Sequence, residues 1–246
     1  MFQMRYQVRS SEVGEDLLMQ TNQIIDALQD CEGFHIHQLE QFNTYLNTHE
    51  IGIFLNFRQV DILRRPQFTE WLRFETFPYD TRGFLGYRNT VVYDEKNQPV
   101  IITNVLGAFT QIKTLRPARL PQTIIDSLDA QVKYPMDYTS RKIDIPEHQG
   151  ERKEEIRIQR SHIDRYHHLN NMFSVEFADN VLPKDYVYNR IRGEYKHPVV
   201  LGDVLVPTVW ILKDRAVVTL ENQAHILCTV IEFSSFEEKT YEHLVK

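Results

Sequence analysis

One order of elements is written twice along this chain of 246 residues, and that duplication constrains the fold more than any other feature. The first copy opens with a strand pattern from Tyr6 to Arg9. A helical stretch follows, with Leu17, Thr21, Ile24, Ile25, Leu28 and Cys31 spaced to share one face of a helix. Four β-branched or alternating runs complete it: Ile51 to Leu63, Trp71 to Phe77, Leu85 to Tyr93 and Val100 to Ile112. The Asp94–Pro99 cluster between the last two reads as a hairpin turn. The second copy has a strand pattern at Lys153 to Arg160, a helix from about Asn171 to Leu182 halted by Pro183, and four more strands. Those strands are Tyr186 to Tyr195, Val204 to Leu212, Ala216 to Asn222 and His225 to Phe233. Between the copies, residues 114–150 carry four prolines and a short helical piece, Gln122 to Val132, and read as a linker over the surface.

Local likenesses follow the same order. V8-R-S-S-E-V13 resembles Q159-R-S-H-I-D164 at an offset of 151, and R65-P-Q-F-T-E-W-L72 resembles H197-P-V-V-L-G-D-V204 at an offset of 132. The difference predicts an insertion in the first copy, which Phe34–Leu46 can supply. A helix with one apolar stripe must bury it, and the only large surface nearby is the sheet that follows. The expected class is therefore α+β: a tandem (double) hotdog, each half an antiparallel sheet wrapped around a central helix. The expected domains are an N-terminal hotdog over 1–113, the linker over 114–150, and a C-terminal hotdog over 151–246 that carries the catalytic motif.

Composition excludes several functions. No apolar run reaches the roughly 18–20 residues of a membrane span, and the first residues lack a signal peptide's apolar core. These features predict a cytoplasmic protein. A net charge of −6 gives no support to nucleic-acid binding. The two cysteines, Cys31 and Cys228, sit in apolar surroundings and are expected to be buried thiols.

Chemistry concentrates in S161-H-I-D-R-Y-H-H-L-N-N-M-F173, where the strand pattern turns into the helix. Four readings compete. Asn170 or Asn171 can cap the helix while the histidines are solvated. His162, His167 and His168 can be tried as metal ligands, but adjacent histidines diverge in an extended chain and no H-E-x-x-H or second Cys/His cluster exists. A Ser or Cys nucleophile lacks a G-x-S-x-G, and neither cysteine has a histidine partner in sequence. The fourth reading is acid–base hydrolysis: Asp164 orients or deprotonates water, His168 holds the substrate or shuttles a proton, and helix N–H groups face a developing oxyanion.

D164-R-Y-H-H-L-N-N171 resembles the D-x-N-x-H-x-N-N signature of the acyl-acyl carrier protein thioesterases, matching at Asp164, His168, Asn170 and Asn171. The likeness extends over nearly the whole chain, through Y6-Q-V-R-S-S-E-V-G14, W71-L-R-F-E-T, G83-F-L-G-Y-R-N89, L115-R-P-A-R-L-P-Q122 and E194-Y-K. The absence of a plant-type extension before the matching start points to a bacterial-type member. The resemblance implies a double hotdog that hydrolyses fatty acyl-acyl carrier protein to free fatty acid, with no cofactor and no metal. It puts the family's catalytic Asn at Tyr166 and a catalytic Glu of plant members at Pro198. Tyr166 then joins Asp164 and His168 as a catalytic candidate, with Asn170, Asn171 and Glu194 in support.

The implied partner, an acylated carrier protein, is strongly acidic, so docking on this acidic chain needs local cations. Arg157, Arg160, Arg190, Arg192 and Lys196 flank the motif in sequence and are the candidates. The pattern leaves room for a homodimer. The alternative function is a non-catalytic acyl-binding or regulatory hotdog, with Tyr166 and Pro198 marking lost chemistry. A hotdog dehydratase is disfavoured, because its His and acid would sit on opposite halves, and Glu12 and Glu15 in the first half have no His beside them.

Overall fold

The computed structural model describes residues 1–242, with the backbone alone for residues 238 and 239. The chain divides into two compact units. The first holds Met1–Met19, Ala27–Tyr138 and the C-terminal residues from Glu238; the second holds Gln20–Asp26 and Thr139–Glu237.

In the first unit β1 (Phe2–Gln7) is followed by a 3₁₀ turn at Ser10–Glu12, then α1 (Thr21–Gln38, of which the part from Ala27 belongs to this unit) and α2 (Glu40–Thr48). Next come β2 (Ile51–Ile62), β3 (Trp71–Arg82), β4 (Leu85–Tyr93), β5 (Pro99–Gln111) and the short α3 (Gln122–Asp126). Its strands pair antiparallel in the order β1-β3-β4-β5-β2. The meander follows from tight connections, and Asp94 Oδ1 closes one of them by accepting from the backbone of Lys96 and Gln98.

The expected insertion at Phe34–Leu46 is helical: it is the end of α1 and most of α2. Phe42 and Leu46 of α2 pack with Ile51, Phe109, Ala118, Leu120, Ile124 and Leu128. That cluster holds the chain leaving β5 and gives α2 an apolar face to bury. The linker helix is shorter than its periodicity predicts, ending at Asp126, with Ser127 Oγ donating to Ile124 O and Asp129 in the left-handed region.

A charged network lies inside this unit. Arg58 is 3% exposed and Glu32 of α1 is 7% exposed. The guanidinium donates twice to the carboxylate, at 3.0 and 2.6 Å. Thr90 Oγ1 also donates to Glu32, at 3.2 Å. A second guanidinium, Arg88, donates to His35 Nδ1 at 2.8 Å and to Thr76 Oγ1 at 2.9 Å.

Burial, with the Arg88 cation beside it, pushes the His35 imidazole down to about 4. A neutral ring is what Arg88 requires, since a protonated Nδ1 cannot accept. The unfolded chain binds a proton at His35 through the window from about 6.5 to about 4, where the folded protein does not. This contribution to stability is therefore complete above pH 6.5 and is lost as the pH falls toward 4. Urea titrations across that window should show a decline on the order of 2–3 kcal/mol that His35→Gln removes; an equal decline in that variant would exclude His35 as the source.

The second unit contains β6 (Glu151–Arg152), β7 (Ile156–Arg157), a 3₁₀ turn at Arg160–His162, α4 (Asn171–Asp179), β8 (Arg190–Tyr195), β9 (Val204–Ile211), β10 (Arg215–Asn222) and β11 (Leu227–Ser234). Its antiparallel order is β8-β11-β10-β9, with β6 and β7 both on β9. The expected strand at Lys153–Arg160 is thus two short pieces, because the chain past Arg157 leaves the ladder: Ile158 N donates to Asp203 O. α4 ends at Asp179, three residues short of the expected Leu182.

Each unit is an α+β hotdog, a helix over an antiparallel sheet. Alternation along β8 gives the second sheet two distinct faces. Ile191 and Gly193 lie opposite Phe233 and Ile231. Tyr188 packs on Phe233 at 4.8 Å and donates to Asp179 of α4 at 2.7 Å, so this is the helix face. The other face meets the linker, whose Ile143 is buried with Val217 and Val230.

Candidate active site

The motif folds into a closed loop between the 3₁₀ turn and α4. Ile163 and Leu169 form an antiparallel bridge, Asp164 N donates to His168 O at 2.8 Å, and His167 N donates to Asp164 O at 3.1 Å. Asp164 Oδ1 accepts from Tyr166 N at 2.8 Å and His168 N at 3.2 Å. This leaves Oδ2 without a protein hydrogen bond among the described residues. His167 takes the left-handed conformation at φ 64, and Leu169 N donates to Val199 O at 2.8 Å.

The first unit builds the same loop. Val13 bridges Met19, Gly14 N donates to Leu18 O at 3.0 Å, Leu17 N donates to Gly14 O at 3.0 Å, and Leu17 sits at φ 61. Met19 N donates to Pro66 O, as Leu169 N does to Val199 O. Val8 N donates to Glu70 O, as Ile158 N does to Asp203 O. Residue 8 thus answers to 158 and residue 70 to 203, registers of 150 and 133 that differ by 17. Both sequence-based offsets miss by one residue, because letter similarity placed Val8 on Gln159 whereas the hydrogen bonds place Arg9 there.

That register is an internal control on the chemistry. Gly14 stands where the second unit has Asp164, Asp16 where it has Tyr166, and Leu18 where it has His168. The first loop closes without a carboxylate at its base, using Asp16 Oδ1 as acceptor for Leu18 N at 3.0 Å. The backbone therefore needs neither a side chain at the position of Asp164 nor an imidazole at that of His168, although both loops use a carboxylate oxygen as acceptor for the equivalent N–H. A shape requirement alone does not account for those two side chains.

The other expected residues fall out as follows. Asn170 is the helix cap: its φ and ψ are −61° and 133°, and its side chain accepts from Met172 N at 3.1 Å. Asn171 is the first helical residue. Asn170→Ala is expected to cost about 1 kcal/mol and Asn171→Ala only a few tenths, read as shifts in urea midpoint. The reverse order would move the cap to Asn171. Phe173 N is also used, donating to Asn170 O at 3.0 Å, so Met172 and Phe173 do not present N–H groups for an oxyanion as expected. Tyr166 is 42% exposed; its hydroxyl accepts from Arg165 at 3.0 Å, and that guanidinium lies 4.8 Å over its ring.

Glu194 is not brought to Asp164 and His168. It lies on the linker face of β8, 7% exposed, paired with Lys196 at 2.7 Å and accepting from Ile143 N at 3.3 Å. Arg192 shares that face, paired with Glu232 at 2.9 Å and donating to Ser140 O at 2.6 Å and Lys142 O at 3.1 Å. Arg190 is 8% exposed and lies over Phe236. Neither arginine is presented to a partner, a correction to their expected docking role. Arg157 and Arg160 are exposed and carry no salt bridge among the described residues, and the loop adds Arg165, also exposed, which the sequence reading passed over. Its signal was adjacency to Asp164 and nothing more. His162 Nδ1 accepts from Gln159 N at 3.2 Å, and among the described residues no three His, Cys, Asp or Glu groups are arranged to hold a metal ion.

Two helix-on-antiparallel-sheet units, one with a polar loop at the start of its helix, define a tandem hotdog protein. The sequence model of the acyl-ACP thioesterase N-terminal domain matches residues 1–128, just over half of the chain, and the chain belongs to that family. The Asp164–Asn171 loop lies beyond the matched region. No curated protein matches by sequence. An acyl-ACP thioesterase from Bacteroides thetaiotaomicron superimposes with a TM-score of 0.84 at 16% identity, over 94% of this chain and 96% of that one. The 12:0-ACP thioesterase from Umbellularia californica gives 0.85 at 13% identity, over 95% and 96%. A MaoC-like dehydratase from Phytophthora capsici gives 0.53 at 17% identity, over 75% and 72%. At these identities the structures report the fold, and family membership carries the inference of thioester hydrolysis. Among the described residues no helix is long and apolar enough to cross a membrane.

Proposed function

We propose that this protein hydrolyses fatty acyl-acyl carrier protein to free fatty acid and carrier, using Asp164 and His168 of the second loop. The observation that carries the reading is the internal control: one backbone loop occurs twice, and only the second copy adds an imidazole and sets a carboxylate at the loop's base, where the first has Gly14. Asp164 is held by two backbone N–H groups at Oδ1, so Oδ2 is the oxygen that takes a proton from water. The water oxygen attacks the thioester carbon, and His168 donates to the carbonyl oxygen as it gains charge. Collapse of the tetrahedral intermediate breaks the carbon–sulfur bond, and the proton held by the Asp–His pair goes to the departing thiolate. Tyr166, tied to Arg165 at the loop tip, takes no step in this scheme. In this reading the reaction runs in the cytoplasm.

The test is release of free thiol from acyl carrier protein and acyl-CoA substrates by the purified protein. Stoichiometric acyl binding without thiol release would support the non-catalytic acyl-binding module instead. Docking of the acidic carrier is assigned to Arg157, Arg160 and Arg165, with Lys196 a lesser contributor because Glu194 already neutralises it. Charge reversal at Arg157 or Arg160 is expected to raise KM for the carrier substrate about 5- to 10-fold, with acyl-CoA changed less than twofold and added salt acting in parallel. Equal losses on both substrates would assign these arginines to the fold.

A further inference from the structure

We propose that His162 is a positioning residue for the Asp164–His168 loop, an inference that rests on the reading just given. Each unit enters its loop through a 3₁₀ turn whose third residue captures the backbone N–H three positions earlier. In the first unit Glu12 Oε2 accepts from Arg9 N at 2.8 Å; in the second, His162 Nδ1 accepts from Gln159 N at 3.2 Å. The surroundings then differ. Glu12 is 2% exposed and locked by Arg9 Nε at 2.5 Å and by the Tyr6 hydroxyl. Among the described residues His162 has no such ionic lock. Its ring lies against two aromatic rings of α4, Phe173 at 4.7 Å and Phe177 at 5.2 Å, and its main-chain carbonyl accepts from Asn170 N at 2.9 Å.

One residue therefore joins the turn that leads into the loop, the helix cap that closes it, and the first two turns of the helix beyond. Acceptance at Nδ1 needs the neutral ring with its proton on Nε2. The loop between residues 162 and 170 is pinned at both ends by His162, through its ring at the turn and its carbonyl at the cap. Asp164 and His168 hang from that span. A shift of about 1 Å in such a span is enough to cost catalysis heavily, because proton transfer and attack both depend on near-contact geometry.

Two substitutions separate the ring's roles. His162→Phe keeps an aromatic ring against Phe173 and Phe177 but puts carbon where Nδ1 accepted, so Gln159 N–H loses its partner. His162→Asn keeps an acceptor near the Nδ1 position and gives up the ring packing. Kinetics on an acyl-carrier thioester and amide hydrogen exchange over residues 159–170 are measured on the full-length protein. The Phe variant is expected to lose about tenfold in kcat with KM changed less than twofold, and to exchange faster at Gln159 and Asn170. The Asn variant should keep kcat within about threefold, with those amides still protected.

A Phe variant with wild-type kcat and protected amides overturns the proposal. So does an Asn variant that fails as deeply as the Phe variant, or a pair that loses melting temperature alike with kcat unmoved. If the wild-type protein releases no thiol from any substrate, the functional reading fails by itself. The exchange arm still decides the positioning role, which is refuted by equal protection in wild type and the Phe variant.

Discussion

Asp164→Asn and His168→Ala are each expected to lower kcat on an acyl-carrier thioester by about 10²-fold or more, with melting temperatures within a few degrees of wild type. Asparagine retains a carbonyl oxygen for Tyr166 N and His168 N, so the loop keeps both of its side-chain hydrogen bonds. What it loses is the ability to take a proton from water. His168→Ala removes the imidazole, and the loop stands without it, since the first unit closes the same loop with Leu18. The double variant should be little worse than either single one, because groups that move one proton act as a unit. Near-normal turnover in both single variants would remove the site from these residues. Tyr166→Phe is the companion measurement: its hydroxyl accepts from Arg165, and turnover should stay within a factor of about three. A large loss there would mean that the phenol does the work of the family's amide.

Glu32→Ala is expected to cost 3–5 kcal/mol, the range found when one partner of a buried ion pair is deleted. For a chain of this length that lowers the melting temperature by roughly 10 °C. The interior of the first unit holds two guanidiniums, Arg58 and Arg88, and Glu32 is the carboxylate bonded to one of them. Desolvation already holds the Arg88 guanidinium below its ordinary range, with the Glu32 charge opposing that shift. Without Glu32, Arg58 keeps its burial and loses its counter-charge, and Thr90 loses an acceptor. Replacing the pair together, as Glu32→Leu with Arg58→Met, should recover much of the loss, because apolar side chains of similar volume do not need the missing partner. Thermal and urea unfolding of the three proteins decide this. A loss under 1 kcal/mol in Glu32→Ala would show that water reaches the network.

The element order was legible because periodicity is a local property: α1, α4 and most strands announce themselves through spacing and β-branched runs. Boundaries were less so. α4 stops at Asp179 where its apolar spacing continues, and Lys153–Arg160 splits because its pairing depends on residues some 45 positions later. The loop chemistry was legible as a cluster of residue types, and Asp164 and His168 do share one closed turn. The choice of Asn170 over Asn171 as cap was not, since both have the right side chain and only backbone dihedrals separate them.

Local patterning by itself determined that this chain would be α+β, duplicated, and polar at the entrance to its second helix. Those properties depend on neighbours within a few residues, which the sequence lists directly. Burial of β8 was decided elsewhere. Alternation says that Arg190, Arg192 and Glu194 share a face, but it does not say what covers that face. The linker residues Ser140, Lys142 and Ile143, some fifty positions away in the chain, cover Arg192 and Glu194 and convert these two expected site residues into fold residues; Arg190 is buried over Phe236 instead. The equivalence of Gly14 with Asp164 and of Leu18 with His168 likewise exists only in hydrogen-bond register, because a backbone shape can repeat where no side chain does.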